Sequence, residues 1–340
     1  MTKKFALLLV AFLLVGMCLS MLGCQAAVVD EVIDGEEEEK EIKVGVIYSI
    51  VDPPRAGGWD RAQWPGHNFL ADEYGWEVSI AEGVPYVNVA ETAAEYAERG
   101  YDIVIFPDAG MMDAWFEVAP KYPDTWFFMM SVTDELPEGN NVAAWSHDIY
   151  TYGVVVGIVS GMATESGVVA LNAGMNLPGL TMLFSGVVEG VKAVNADAEV
   201  LVTWVGDWVD VAKHSEVTKL QIDKGADVVF TITGPATKGV FEAAEAEGVF
   251  AIGYGGEWYD DAPGAILTSV IINTIPMYQE MADAFLAGTL KNQIYMLDVS
   301  CFSMTDFRGK LPDREAEIIE IVEKFYSGAL QVPTVMHEFE

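Results

Sequence analysis

The chain is 340 residues long and 51% hydrophobic, with 52 acidic against 18 basic residues and a formal net charge of −34. That length exceeds one ordinary compact core and suits two lobes, while 32 Gly and 14 Pro in a half-apolar chain exclude disorder and collagen-like repeats. The charge excludes nucleic acid as a partner and disfavours anionic lipid, because both are held by Lys and Arg.

Lys3 and Lys4 precede an apolar run over residues 5–15, and Met21-Leu22-Gly23-Cys24 follows it. A small residue and then Cys at the end of such a run is the pattern of a bacterial lipoprotein signal, although Met21 stands where Leu is usual. Residues 1–23 are then removed and Cys24 is acylated. The alternative is an uncleaved anchor, since residues 5–23 are about long enough to span a bilayer. Either route places the body at the cell membrane, facing away from the cytoplasm. Residues 24–41 carry Asp30, Glu31, Asp34 and Glu36 to Glu39, a self-repelling tract that reads as an extended acidic linker. With Cys18 removed and Cys24 lipidated, Cys301 has no disulfide partner, and its apolar surroundings (295–302) make it buried filler.

From Ile42 onward short apolar runs alternate with amphipathic helical stretches. The predicted strands are 43–50, 77–81, 102–107, 126–132, 167–172, 199–205, 227–233, 249–253 and 266–272. Consecutive Val and Ile suit strands covered on both faces. Predicted helices over 90–99, 211–224, 237–247 and 312–326 each stop near Gly100, Gly225, Gly248 or Gly328, the residue type that accepts a left-handed stop. Glu98-Arg99-Gly100-Tyr101-Asp102 is echoed by Asp223-Lys224-Gly225-Ala226-Asp227, so the two halves share a plan. Alternation of this kind gives doubly wound parallel sheets, and two such lobes place a ligand between the carboxyl ends of their strands.

Motifs of catalysis are missing. After the first strand, Pro53-Pro54-Arg55-Ala56-Gly57-Gly58-Trp59 lacks the glycine spacing of a dinucleotide fingerprint. Gly153, Gly157 and Gly161 fall on one helix face and predict close helix packing. The four histidines are scattered without metal-ligand spacing. Ser185-Gly186 lacks the nucleophile-elbow pattern. No catalytic residue, cofactor or metal is predicted. The informative residues lie just past the strands: Trp59 and Asp60, Asp108, Trp208 and Asp210, then Glu257 and Trp258. Indoles flanked by carboxylates and glycines suit a flat ring held between aromatic plates, at about 1–3 kcal/mol per stacked base. Trp76, Trp115, Trp126, Trp145 and Trp204 read as packing residues.

Taken in order, Lys43-Val44-Gly45-Val46-Ile47, Gly57-Gly58-Trp59-Asp60, Val118-Ala119-Pro120-Lys121-Tyr122-Pro123-Asp124, Gly190-Val191-Lys192-Ala193-Val194-Asn195, Trp208-Val209-Asp210-Val211-Ala212-Lys213 and Ala251-Ile252-Gly253-Tyr254 resemble the basic membrane protein (PnrA-like) family of ABC-transporter solute-binding lipoproteins. The resemblance runs through almost all of the mature chain. It implies a type I periplasmic-binding fold of two lobes with three crossings: 42–147 with 272–302, and 148–271 with 303–340. It further implies closure around a purine base or nucleoside-like ligand by a monomer that serves an ABC permease and ATPase.

By resemblance Trp59 and Trp208 flank the base, and Asn273 with Pro276 and Tyr278 resembles a tryptophan-containing subgroup. Asp60, Asp108 and Asp210 are candidates for polar recognition. The family places an acid for ribose hydroxyls after Gly253-Tyr254, where this chain has Gly255-Gly256, so Glu257 is its candidate replacement. Pro65 is expected to start the helix after the first strand. The open alternatives are a sugar, an autoinducer-like solute or an amino acid in the same fold, an exported nucleoside hydrolase, and a ligand-sensing or adhesive surface lipoprotein without a transporter.

Overall fold

The computed structural model describes residues 41–131 and 133–339. The expected signal over 1–23, Cys18, the expected acylation site Cys24 and the expected linker up to residue 40 lie outside the described residues. The first lobe opens with β1 (Lys43–Ile47), α1 (Pro53–Ala56), α2 (Gly58–Tyr74), β2 (Glu77–Ala81), α3 (Val89–Glu98), β3 (Ile103–Phe106), α4 (Met112–Val118), β4 (Trp126–Met129) and β5 (Val142–His147). The second lobe follows with α5 (Ile149–Ala163), β6 (Val168–Ala173), α6 (Pro178–Val194), β7 (Glu199–Trp204), α7 (Val211–Asp223), β8 (Val228–Ile232), α8 (Thr237–Glu247), β9 (Phe250–Gly255) and β10 (Ile266–Ile272). The chain returns to the first lobe for α9 (Ile275–Leu286) and β11 (Ile294–Leu297), then ends in the second with β12 (Phe302–Met304) and α10 (Glu315–Tyr326).

Each lobe is a sheet in the order the alternating pattern demands. The first sheet runs β11-β5-β4-β3-β1-β2 and the second β12-β10-β9-β8-β6-β7. Every pairing is parallel except β12 against β10. Val44, Val46, Ile103, Ile105, Val228 and Phe230 are fully buried because helices cover both faces. In both sheets the strand order reverses beside the first strand, between β1 and β3 and between β6 and β8. The crevice at such a reversal, outside the strand carboxyl ends, is where doubly wound sheets bind ligands.

Several boundaries differ from the sequence reading. Strands β5, β11 and β12 have no counterpart in it. The apolar run 295–302 reads as one piece, but the Asp298 carboxylate accepts the Ser300 N–H at 2.9 Å and turns the chain there. One run thus serves two sheets. Ile272 and Phe302 pair with each other in the second sheet, so both residues belong to the second lobe, whereas the sequence reading assigns 272–302 to the first. Pro65 does not start a helix. It sits inside α2, which begins at Gly58, and its missing N–H leaves the Arg61 carbonyl without the usual helical partner. The glycine stops hold, with φ of 78° at Gly100, 104° at Gly225, 71° at Gly248 and 74° at Gly328. Cys301 is 4% exposed, and burial, then the Asp298 charge, pushes its thiol up to about 12.

The helix face carrying Gly153, Gly157 and Gly161 packs on α6. A methyl group at Gly153 would come 2.1 Å from the Leu183 carbonyl oxygen, and one at Gly157 would come 2.2 Å from that of Val187. Gly186 and Gly190 of α6 return the approach, 2.2 Å and 2.3 Å from the Tyr150 and Val154 oxygens on the same measure. These are backbone atoms inside a packed core and cannot swing aside. Gly157→Ala is expected to destabilise the protein by about 2–4 kcal/mol, beyond the usual overpacking cost, because two helices must separate. Denaturant melts check this; an unchanged midpoint rules out the close packing.

Candidate ligand-binding site

The carboxyl ends of the strands at both reversals meet. Trp59 lies in the first turn of α2, after β1. Its indole stacks on His147, with centroids 5.0 Å apart at 24°. The Trp59 Nε1–H donates to the Pro107 carbonyl at 2.6 Å, just past β3. The ring is therefore fixed by the ends of β3 and β5. His147 is 3% exposed, and desolvation lowers it to about 4, so the imidazole is neutral.

Asp60 follows Trp59, and Asp108 follows the Pro107 that accepts the Trp59 indole N–H, so both acids lie at this end of the sheet. Burial, and then the Asp108 charge, push Asp60 up to about 7, with only its own backbone N–H pulling the other way. Burial first, and the Asp60 charge among the lesser causes, raises the phenols of Tyr48, Tyr86 and Tyr254. Asp108 is oriented by the Gly110 N–H at 2.8 Å and by the Tyr86 hydroxyl. Ser49 donates to that hydroxyl at 3.3 Å. The result is two neighbouring carboxyls, one of them held by a phenol, next to the Trp59 indole.

The second lobe supplies Trp208. Its ring backs onto Gly174, where a methyl group would lie 2.4 Å from the indole, and comes within 4.0 Å of the position a methyl would take at Gly234. Gly234 is also where the lobes touch, since a methyl at Gly57 would lie 3.5 Å from the Gly234 Cα. The turn bearing Trp59 therefore approaches the loop after β8, against which Trp208 rests, through a pair of glycines.

The other expected polar residues are engaged elsewhere. Asp210 caps α7 by accepting the Lys213 N–H at 3.0 Å. Asp207 braces the loop by accepting the Val209 and Asp210 N–H groups, both at 2.7 Å. The exposed Glu257 spends one carboxylate oxygen on the Trp258 and Tyr259 N–H groups at 2.9 and 2.8 Å, and an Arg308 guanidinium lies 3.6 Å from the other. Asn273 accepts the Ile275 N–H at 3.2 Å and donates its own backbone N–H to the Cys301 carbonyl, which ties the second crossing to the third. Trp258 is a core residue at 3% exposure, edge-on to Phe241. Sequence reasoning passes over His147, Tyr48, Tyr86, Tyr254 and Arg61. The signal for Tyr48 and Tyr254 is their place at the end of a strand. Among the described residues no group of three His, Cys, Asp or Glu is placed to hold a metal, and no helix is long and apolar enough to cross a membrane.

Two doubly wound lobes that meet at their ligand-binding ends define a two-lobed solute-binding protein of the type I periplasmic fold. The chain belongs to the PnrA-like family of ABC transporter substrate-binding proteins, whose model matches residues 44–333. This is an extracytoplasmic family of small-molecule binders. A purine-binding protein of Brucella abortus (strain 2308) is 26% identical over 261 residues, covering 75% of this chain and 72% of that one. A Haloferax volcanii protein named for glucose binding in an ABC transporter is 27% identical over 252 residues, covering 71% of this chain and 63% of its own length. An ABC transporter solute-binding protein from Conexibacter woesei DSM 14684 superposes with a TM-score of 0.69 at 24% identity, covering 87% of this chain and all of that one.

Proposed function

We propose that the protein captures a free purine base between its lobes and hands it, chemically unchanged, to an ABC permease, while tethered to the membrane through an acylated Cys24. The observation that supports this reading is that each lobe sets one indole, Trp59 after Gly57-Gly58 and Trp208 against Gly234, beside the seam where Gly57 approaches Gly234. Each lobe contributes one indole, and a planar heterocycle between them gains stacking at both faces. A protonated Asp60 beside the Asp108 carboxyl offers a hydroxyl donor among several acceptor oxygens, which matches the mixed donor and acceptor edge of a purine. Trp59, Asp60, Asp108 and Trp208 form the proposed contact set. Asp210, Glu257 and Asn273 support it by shaping the loops.

Free base is preferred over nucleoside for a steric reason. By resemblance an acid for ribose would stand at Gly255. A side chain there would meet the Gly58 carbonyl oxygen at 2.6 Å, and one at Gly256 would meet Arg61 Cδ at 2.6 Å. Lobe one occupies that space. Calorimetry on protein stripped of carried-over ligand is expected to give adenine the strongest heat, with adenosine, guanosine and inosine at least about tenfold weaker. No heat from any of them removes the purine reading; nucleosides binding more tightly than adenine removes the preference for base.

The Haloferax relative named for glucose binding favours a second reading, a sugar on the same aromatic plates. Ultraviolet absorbance of the solute released on denaturing the purified protein separates the two, since only the purine absorbs strongly near 260 nm. The anchor is tested by the mass of the N-terminal peptide of exported protein, acylated at Cys24 or not.

A further inference from the structure

The first turn of α2 carries, next to the ligand-facing Asp60, one side chain that reaches the other lobe. Arg61 donates from Nη1 to the Glu257 carbonyl oxygen and to Asp261 Oδ2 at 2.9 Å, partners 196 and 200 residues away in sequence. Its guanidinium carbon lies 3.8 Å over the Trp258 ring. The side chain is 14% exposed, so the charge is largely removed from water. Trp258 is held by its Nε1–H on the Tyr254 carbonyl at 2.9 Å and its backbone N–H on Ser269 Oγ at 3.1 Å. The platform is thus a fixed part of the second lobe.

The approach is licensed by glycines on both sides. A methyl at Gly58 would sit 2.4 Å from the Tyr254 carbonyl oxygen, one at Gly255 would sit 2.6 Å from the Gly58 oxygen, and one at Gly256 would sit 2.6 Å from Arg61 Cδ. Gly255 has φ of 74°, a conformation that favours glycine in any case. The surface under α2 is therefore shaped for the stem of Arg61 and for the start of the helix.

We propose that Arg61 is a closure latch: it joins the lobes through protein atoms alone, and by raising the closed population before ligand arrives it sets the affinity without touching the ligand. The proposal rests on the two-lobed binding reading and not on the identity of the solute. Three favourable contacts converge on one planar cation. A guanidinium suits this task better than an ammonium, because its flat face lies on the indole while one of its edge nitrogens serves two oxygens. Apparent affinity scales with the fraction of molecules already competent to bind. A latch that favours closure by about tenfold thus tightens every ligand of the cleft by up to that factor.

Small-angle X-ray scattering of ligand-free wild type, Arg61→Gln, Asp261→Asn and the double variant tests this directly. The expected result is a larger radius of gyration for Arg61→Gln than for wild type, returning to the wild-type value when ligand saturates the site. The double variant should be no more open than Arg61→Gln, since both changes cut the same bridge. Arg61→Lys should fall between, as the charge remains and the flat face on the indole is lost. Where calorimetry has found a ligand, Arg61→Gln should bind it about tenfold more weakly. Equal radii for ligand-free wild type and Arg61→Gln, with both variants melting as wild type does, overturn the latch. Strictly additive effects of the two substitutions do so too. If no purine binds, the scattering arm still decides, so failure of the latch and failure of the purine reading are separate results.

Discussion

Trp208→Ala is expected to weaken purine binding by about ten- to a hundredfold while barely moving the melting temperature, from the roughly 1–3 kcal/mol that a stacked base gains on an aromatic side chain. The indole is half-buried and rests against Gly174 and Gly234, and no side-chain hydrogen bond from its Nε1 ties it to the core, whereas Trp59 donates to Pro107 and stacks on His147. Trp59→Ala should therefore cost stability as well as affinity, by about 3 kcal/mol or more, because a wall of the first lobe goes with it. The contrast is diagnostic. Calorimetry on each variant, paired with thermal melts, should show affinity lost alone at Trp208 and lost with stability at Trp59. If Trp208→Ala binds adenine as wild type does, the indole is not a plate of the site.

That contrast also shows how much the sequence holds. The covered parallel sheets are legible because strands such as 103–106 and 228–232 are apolar on consecutive residues. So are the strand-end positions of Trp59, Asp108 and Trp208, since a loop after a parallel strand has one place to go. The short strand 294–297 is hidden in a longer apolar run, because a single Asx turn at Asp298 divides it. Asp210 and Glu257 read as free polar groups and are not, for a general reason. A carboxylate next to a helix start or a tight turn satisfies backbone N–H groups as readily as a ligand, and 52 acids give no way to choose. Arg61 is illegible, because its partners lie about two hundred residues downstream. Gly255-Gly256 reads as the loss of an acid. In the fold the two glycines are the surface on which α2 lands.

Asp60→Asn is expected to stabilise the protein above neutral pH by about 1–3 kcal/mol and to leave it nearly unchanged near pH 4. The folded carboxyl titrates at about 7 against an ordinary 3.8. Between those values the unfolded chain has released a proton that the folded chain keeps, so stability falls as pH rises through the window. The penalty is absent below about 4 and complete above about 7. A rise of that size would carry about 4 kcal/mol in full, and partial exposure of Asp60 screens this to the smaller figure. Buried neutral His67 and His147, both lowered to about 4 by desolvation, act in the opposite sense, since their unfolded forms take up protons below 6.5 and stability then falls as pH falls. They obscure the Asp60 effect in the wild type alone. They are common to both proteins, so the difference between wild type and Asp60→Asn isolates the carboxyl. Urea melts of the pair at pH 4.5, 6 and 8 should show a gap that opens with pH and levels off above 7. A gap of constant size across that range would mean that Asp60 ionises normally.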